Sequence, residues 1–218
     1  FDKWVLTLTW LRNKELVYPD EYPGPRGSVP FISNYHTFAF MHFLPSPALF
    51  LNKLFTCLEP QKGLLNHLQL DHICYRVTTV ARYEELKEQL LKTNKLLVES
   101  PINGRRIATF RMAQPFTYEA REIWLLELPE PKSGSPYPEG WEHAEFVTDR
   151  PLAEFADWLT KHLGIKLEDI DTKGLSKQLN AEVRLRLPDG LSVKFHELPL
   201  DEVIAIELRE EQQKSEEK

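Results

Sequence analysis

Cysteine is scarce in this sequence: Cys57 and Cys74 are the only two in 218 residues, and they form no CxxC pair. That excludes a disulfide framework and a cysteine-based zinc knuckle. Two thiols in apolar neighbourhoods read instead as packing residues of a reducing compartment, so a cytoplasmic location is expected. Long hydrophobic runs are also missing. The stretch from Trp4 to Leu11 is too short to span a bilayer, and no small-residue cleavage site follows it. Positive charge is not in excess: the net charge is −6, and residues 201–218 hold seven acids against three bases, which leaves the rest at −2. Without a basic stripe, nucleic acid has no electrostatic footing as a partner. No nucleophile motif, phosphate loop or dinucleotide fingerprint is present.

What the chain does have is repetition. Asp71-His72-Ile73-Cys74-Tyr75 is echoed by Glu142-His143-Ala144-Glu145-Phe146, and Glu127-Leu128-Pro129 by Glu197-Leu198-Pro199. The separations are 71 residues between the histidines and 70 between the glutamates, long enough for two modules of several elements each. Imidazole and carboxylate are ligand types that suit zinc, nickel, manganese or iron(II), so a duplicated pair could meet at one divalent ion.

Element signals support the duplication. Residues 1–45 stand apart as an arm: Pro19, Pro23, Pro25, Pro30 and Pro45 forbid a continuous helix, while Trp4, Trp10, Tyr35 and Phe38 are too apolar for a solvated tail. Ser46-Pro47 opens a helix that Pro60 stops. The alternation over 70–77 predicts a strand, and Tyr83, Leu86 and Leu90 predict a helix over 80–91. Strands follow at 95–99, 106–112 and 121–128, with Asn103-Gly104 as a hairpin signal. After a proline- and glycine-rich linker, 129–138, the order recurs: a strand at 141–148, a helix from Pro151 to Gly164, a weak strand at 166–170, and clear ones at 181–187 and 191–198. A surface helix over 201–211 and a charged tail at 209–218 are expected to end the chain.

Five ordered segments resemble the signatures of the YecM-like family: Asp71-His72-Ile73-Cys74-Tyr75-Arg76, Ile102-Asn103-Gly104-Arg105, Glu127-Leu128-Pro129, Glu139-Gly140-Trp141-Glu142-His143 and Val193-Lys194-Phe195-His196. That family belongs to the vicinal-oxygen-chelate superfamily, with glyoxalase I, extradiol dioxygenases and bleomycin-resistance proteins. The resemblance covers residues 46–208. It implies an α+β fold in which two βαβββ modules, about 69–130 and 139–200, pair into a curved-sheet cup preceded by a helix and the arm. It also implies metal ligands from the first and last strands of each module, which carries over to His72, Glu127 and His143.

The residues themselves leave choices. A lone strand histidine is ordinarily a hydrogen-bonded sheet residue, but His143 in the slot equivalent to His72 favours ligation for both. Glu127 ends an apolar run, as a ligand or as an exposed rim residue. On the last strand, repeat alignment nominates Glu197, whereas parity turns His196 to the cup, so His196 is the expected fourth ligand and Glu197 the alternative. Parity also sends Asp71 and Glu142 to the opposite face. Glu145 is the expected base and Arg76 a contact for an anionic substrate, with Arg105 entering from the turn. His36, His42, His67 and His162 have no repeat partners and read as surface or packing residues.

The expected activity is that of a divalent-metal enzyme on a small oxygen-rich substrate, an isomerase or lyase in which the ion is a Lewis acid or activates water. His72, His143 and Glu127 alone would also suit an iron(II) dioxygenase. A non-catalytic ligand- or metal-holding module is the competing expectation. Either fits a monomer or homodimer with a small-molecule partner and no membrane.

Overall fold

The computed structural model describes residues 43–58, 63–134, 136–177 and 179–216. The arm, up to position 42 and with His36 and His42, lies outside the described residues. Helix α1 (Ala48–Leu58) leads into two successive strand-helix-three-strand units. The first comprises β1 (Gln69–Arg76), α2 (Val80–Leu91), β2 (Lys95–Ile102), β3 (Arg105–Tyr118) and β4 (Arg121–Pro129). The second comprises β5 (Gly140–Val147), α3 (Leu152–Leu163), β6 (Ile170–Asp171), β7 (Glu182–Arg186) and β8 (Ser192–His196). Helix α4 (Leu200–Glu216) follows, six residues longer than the expected 201–211. Among the described residues no helix is long and apolar enough to cross a membrane.

All eight strands join one sheet in the order β2-β3-β4-β1-β5-β8-β7-β6. Each module closes by laying its last strand parallel to its first, β4 on β1 and β8 on β5, and the two first strands pair antiparallel at the centre. Period-two alternation then decides the faces. Ile73, Leu126, Ala144, Phe146, Val193 and Phe195 are buried together with Tyr83 and Leu86 of α2 and Phe155 and Leu159 of α3. Phe195 lies 4.8 Å from Phe155 and 5.6 Å from Phe146 between ring centroids. Phe195→Ala would cost about 3–5 kcal/mol through the void it leaves. The intervening residues of the same strands point to the other face, around a cavity of about 420 Å³.

Local chemistry sets the element ends. The Thr79 side chain accepts a hydrogen bond from the Arg82 amide and caps α2. Gly164, at φ 66°, ends α3 in the left-handed region that a Cβ disfavours. Asn103 and Gly104, at φ 51° and 78°, make the tight β2–β3 turn. The weak strand expected at 166–170 is a 3-10 turn, Leu167–Asp169, followed by the two-residue β6. Of the two cysteines expected to pack, Cys57 is exposed on α1, whereas Cys74 is buried, with one side toward the cavity.

Candidate metal centre

Strand register assembles the site. On β1, His72 is paired with Glu145 of β5, while Cys74 is paired with both His143 of β5 and Glu127 of β4. His72, Glu127, His143 and Glu145 therefore surround one point on the polar face, and one ligand-type atom from each lies within 4.8 Å of all the others. His72 Nε2 is 3.4 Å from Glu145 Oε1 and 3.8 Å from Glu127 Oε2; His143 Nε2 is 3.1 Å and 3.4 Å from the same two oxygens.

The acids that precede the histidines do not face away, as simple alternation predicts. Pairing jumps from Leu70↔Phe146 to His72↔Glu145, and from Cys74↔His143 to Tyr75↔Trp141, so Asp71 and Glu142 are each the extra residue of a β-bulge. The bulges turn each acid back beside its neighbour. His72 Nδ1 lies 2.8 Å from Asp71 Oδ2, and His143 Nδ1 2.5 Å from Glu142 Oε2. A carboxylate can only accept, so each Nδ1 carries the proton and each Nε2 is aimed into the cluster. Both Nε2 atoms are buried without a hydrogen-bond partner. A lone pair facing carboxylate oxygens at these distances is repulsive unless a cation lies between them. Protons or a divalent ion would serve, and a carboxylate behind an imidazole is the usual outer support of a metal-bound histidine.

A family model described as YecM protein matches residues 42–207. The chain belongs to the YecM family. Protein YecM of Escherichia coli strain K12 is 31% identical over 149 residues, which cover 64% of this chain and 79% of that protein. An uncharacterised Haemophilus influenzae protein is 31% identical over 99 residues, 44% of this chain and 51% of its own. A solved structure described as Structural Genomics, Protein EC4020, superposes with a TM-score of 0.58 at 29% identity, covering 73% of this chain and 86% of that one. The two βαβββ modules of this YecM-family chain share one eight-stranded sheet, the α+β arrangement that the resemblance implies.

Within this YecM-family cup the last strand of module two departs from the repeat. If His143 is equated with His72, the β5–β8 register equates Lys194, which is paired with Glu145, with Glu127, which is paired with Cys74. The Glu-Leu-Pro echo is thus not the structural repeat, because the chain from β5 to β8 is four residues shorter than that from β1 to β4. Glu197 turns to the far side, where its carboxylate accepts a hydrogen bond from the Leu152 amide at 3.0 Å and caps α3. His196 does face the cup but stands outside the group of four. Its ring stacks on His72 at 5.9 Å, its Nδ1 bonds to the Leu198 carbonyl, and its Nε2 lies 3.7 Å from Asp71 Oδ2 and from Glu145 Oε2.

Charge is concentrated here. The Lys194 ammonium bonds to Glu145 Oε1. Burial opposes charge on His72, but the Glu145, Asp71 and Glu127 carboxylates override it and hold the imidazole up to about 10. Burial likewise opposes charge on Glu127, and the His143 and His72 rings draw it down to about 2. Lys194 with its neighbouring His72 and His143 keeps Glu145 well below the usual range despite burial. His196, by contrast, is depressed, chiefly by burial.

Arg76 and Arg105 both line the cavity. Arg76 bonds to Glu142 Oε1 at 2.8 Å beneath the Tyr137 ring, and Arg105 donates to the Glu130 carbonyl and the Tyr137 hydroxyl. His67 pairs with Asp149, and His162 bonds to the Trp158 carbonyl, both away from the cup. Three groups escaped sequence reasoning: the two bulge acids and Arg184, which reaches Glu142 from β7. The doubled acid-His dipeptide was the signal for the first two. For Arg184 it was alternation with the buried Val183 and Leu185.

Proposed function

We propose that this protein is a divalent-metal enzyme acting on a small substrate with adjacent oxygens, with His72, His143 and Glu127 as the ligands and Glu145 as the proton acceptor. The observation that carries the reading is the pair of buried, unpartnered Nε2 atoms of His72 and His143, each fixed from behind by a bulge carboxylate and converging on Glu127. Two imidazoles and one carboxylate suffice to hold zinc, nickel, manganese or iron(II) with positions left open. A bound ion would polarise the substrate oxygens as a Lewis acid.

The chain's own groups divide the remaining work. Asp71 and Glu142 keep the rings oriented and their Nδ1 atoms protonated. Glu145 has both carboxylate oxygens inside the cup, and Lys194 anchors Oε1, which keeps the carboxylate ionised and able to take a proton from carbon or water. His196 faces Glu145 Oε2 with a burial-depressed, neutral ring, and is placed to receive that proton onward rather than to complete the ligand set. Helix α4 lays Leu200, Val203 and Ile204 along the cavity, where they exclude water.

Elemental analysis tests this reading. Protein stripped of metal and reconstituted should hold one divalent ion per chain, His72→Ala and His143→Ala should hold none, and Glu197→Gln should hold one. Failure of the wild-type protein to retain any divalent ion stoichiometrically would overturn it.

A further inference from the structure

Positive charge in the cup exceeds what the metal cluster uses. Five carboxylates and five lysine or arginine side chains line the cavity, so a divalent ion would leave the lining at +2. The surplus is localised. Arg76 and Arg184 share one oxygen, Glu142 Oε1, at 2.8 Å and 3.4 Å, while the other oxygen of that carboxylate is taken by His143. Arg184 adds only the neutral Ser192 hydroxyl, and Arg105 has only neutral partners among the described residues. Two guanidinium groups thus divide a carboxylate that is already engaged, and the Nε atoms of both are buried with no acceptor. Leaving such donors unsatisfied is costly, and a planar guanidinium is matched by a two-oxygen anion. The Tyr137 ring, 4.4 Å over Arg76, fixes the plane of one fork.

We infer that the substrate of this site carries, besides its adjacent oxygens, an oxyanion of carboxylate or phosphate type seated on Arg76 and Arg184. The inference rests on the metal reading for the other end of the substrate. Glu142 joins the two ends: it orients His143 on one side and spaces the two arginines on the other. The ligand class is therefore a short, doubly anchored compound, chelating at one end and anionic at the other, which a cavity of about 420 Å³ accommodates.

Two compounds that differ only at the distal end test this. 2-Oxoglutarate and 2-oxopentanoate share a chelating 2-oxo acid head, and only the first has a second carboxylate. Calorimetric titration of manganese-loaded wild-type protein should show 2-oxoglutarate binding about tenfold tighter or more, the worth of one charge-assisted hydrogen bond. In Arg184→Met the two affinities should fall to within about twofold of each other. Equal affinities in the loaded wild-type protein would overturn the inference. If the protein retains no ion, the metal reading fails by itself, and inorganic phosphate decides the subsite. Saturable phosphate-induced shifts of the Arg76 and Arg184 Nε–Hε resonances in metal-free wild-type protein would support it, and their absence would overturn it.

Discussion

After its helix, module one builds strands of eight, fourteen and nine residues, whereas module two builds strands of two, five and five. Both open on the same bulged acid-His pair, and both supply one histidine and one glutamate to the cluster. They supply the glutamate from different strands. Module one carries Cys74 on its first strand and Glu127 on its last; module two carries Glu145 on its first and Lys194 on its last, at the matching positions. A symmetric cup would have four equivalent ligands. Here the second carboxylate is displaced by one strand and bound to an ammonium, which on the proposed reading would separate a metal-holding carboxylate, Glu127, from one held ready for protons, Glu145.

The comparison can be broken most forcefully through pH. In metal-free protein, charged His72, at about 10 against an ordinary 6.5, contributes stability that is complete below pH 6.5 and lost as pH rises towards 10. Ionised Glu127, at about 2 against 4.5, contributes stability that is complete above pH 4.5 and lost as pH falls towards 2. Thermal unfolding of the metal-free protein should therefore be flat between those ordinary values and weaken on both sides. Saturating ion should reverse the alkaline limb, since it binds the deprotonated rings.

Lys194→Met comes next. Removing the ammonium leaves Glu145 buried with only the two imidazoles to offset its charge, so metal-free protein should lose up to about 3 kcal/mol in denaturant titrations. Loaded protein should lose less, because the ion takes over the neutralisation. An equal loss in both forms would mean that Glu145 does not sense the ion.

Asp71→Asn and Glu142→Gln ask whether the modules are equivalent where the repeat holds. Each should weaken ion affinity by roughly 10–100-fold in competition with a chelator. Similar losses would confirm the bulge acids as counterparts; a loss confined to one would break the pairing. The smallest effect belongs to the helix caps. Module one caps α2 locally with Thr79, and module two caps α3 from a distance with Glu197. Thr79→Ala and Glu197→Ala should each cost about 1 kcal/mol, with ion affinity unchanged.

Much of this was legible in the sequence. The order of the two modules follows from period and punctuation, and His72 and His143 follow from their shared slot. What alternation could not supply was the pair of bulges. One inserted residue restores Asp71 and Glu142 to the face that parity denies them, and nothing in side-chain type marks the insertion. The Glu-Leu-Pro echo misled for a related reason: identical tripeptides sit at different depths of their strands because the second module is shorter before β8. Only register shows Lys194 opposite Glu145, and only the hydrogen bond from the Leu152 amide shows Glu197 turned to α3.

The most direct test of the central claim is anomalous diffraction from crystals of protein reconstituted with manganese or zinc. One peak per chain within bonding distance of His72 Nε2, His143 Nε2 and a Glu127 oxygen is the predicted result. A peak on His196 or Glu197 without His143, or no peak at all, would contradict it.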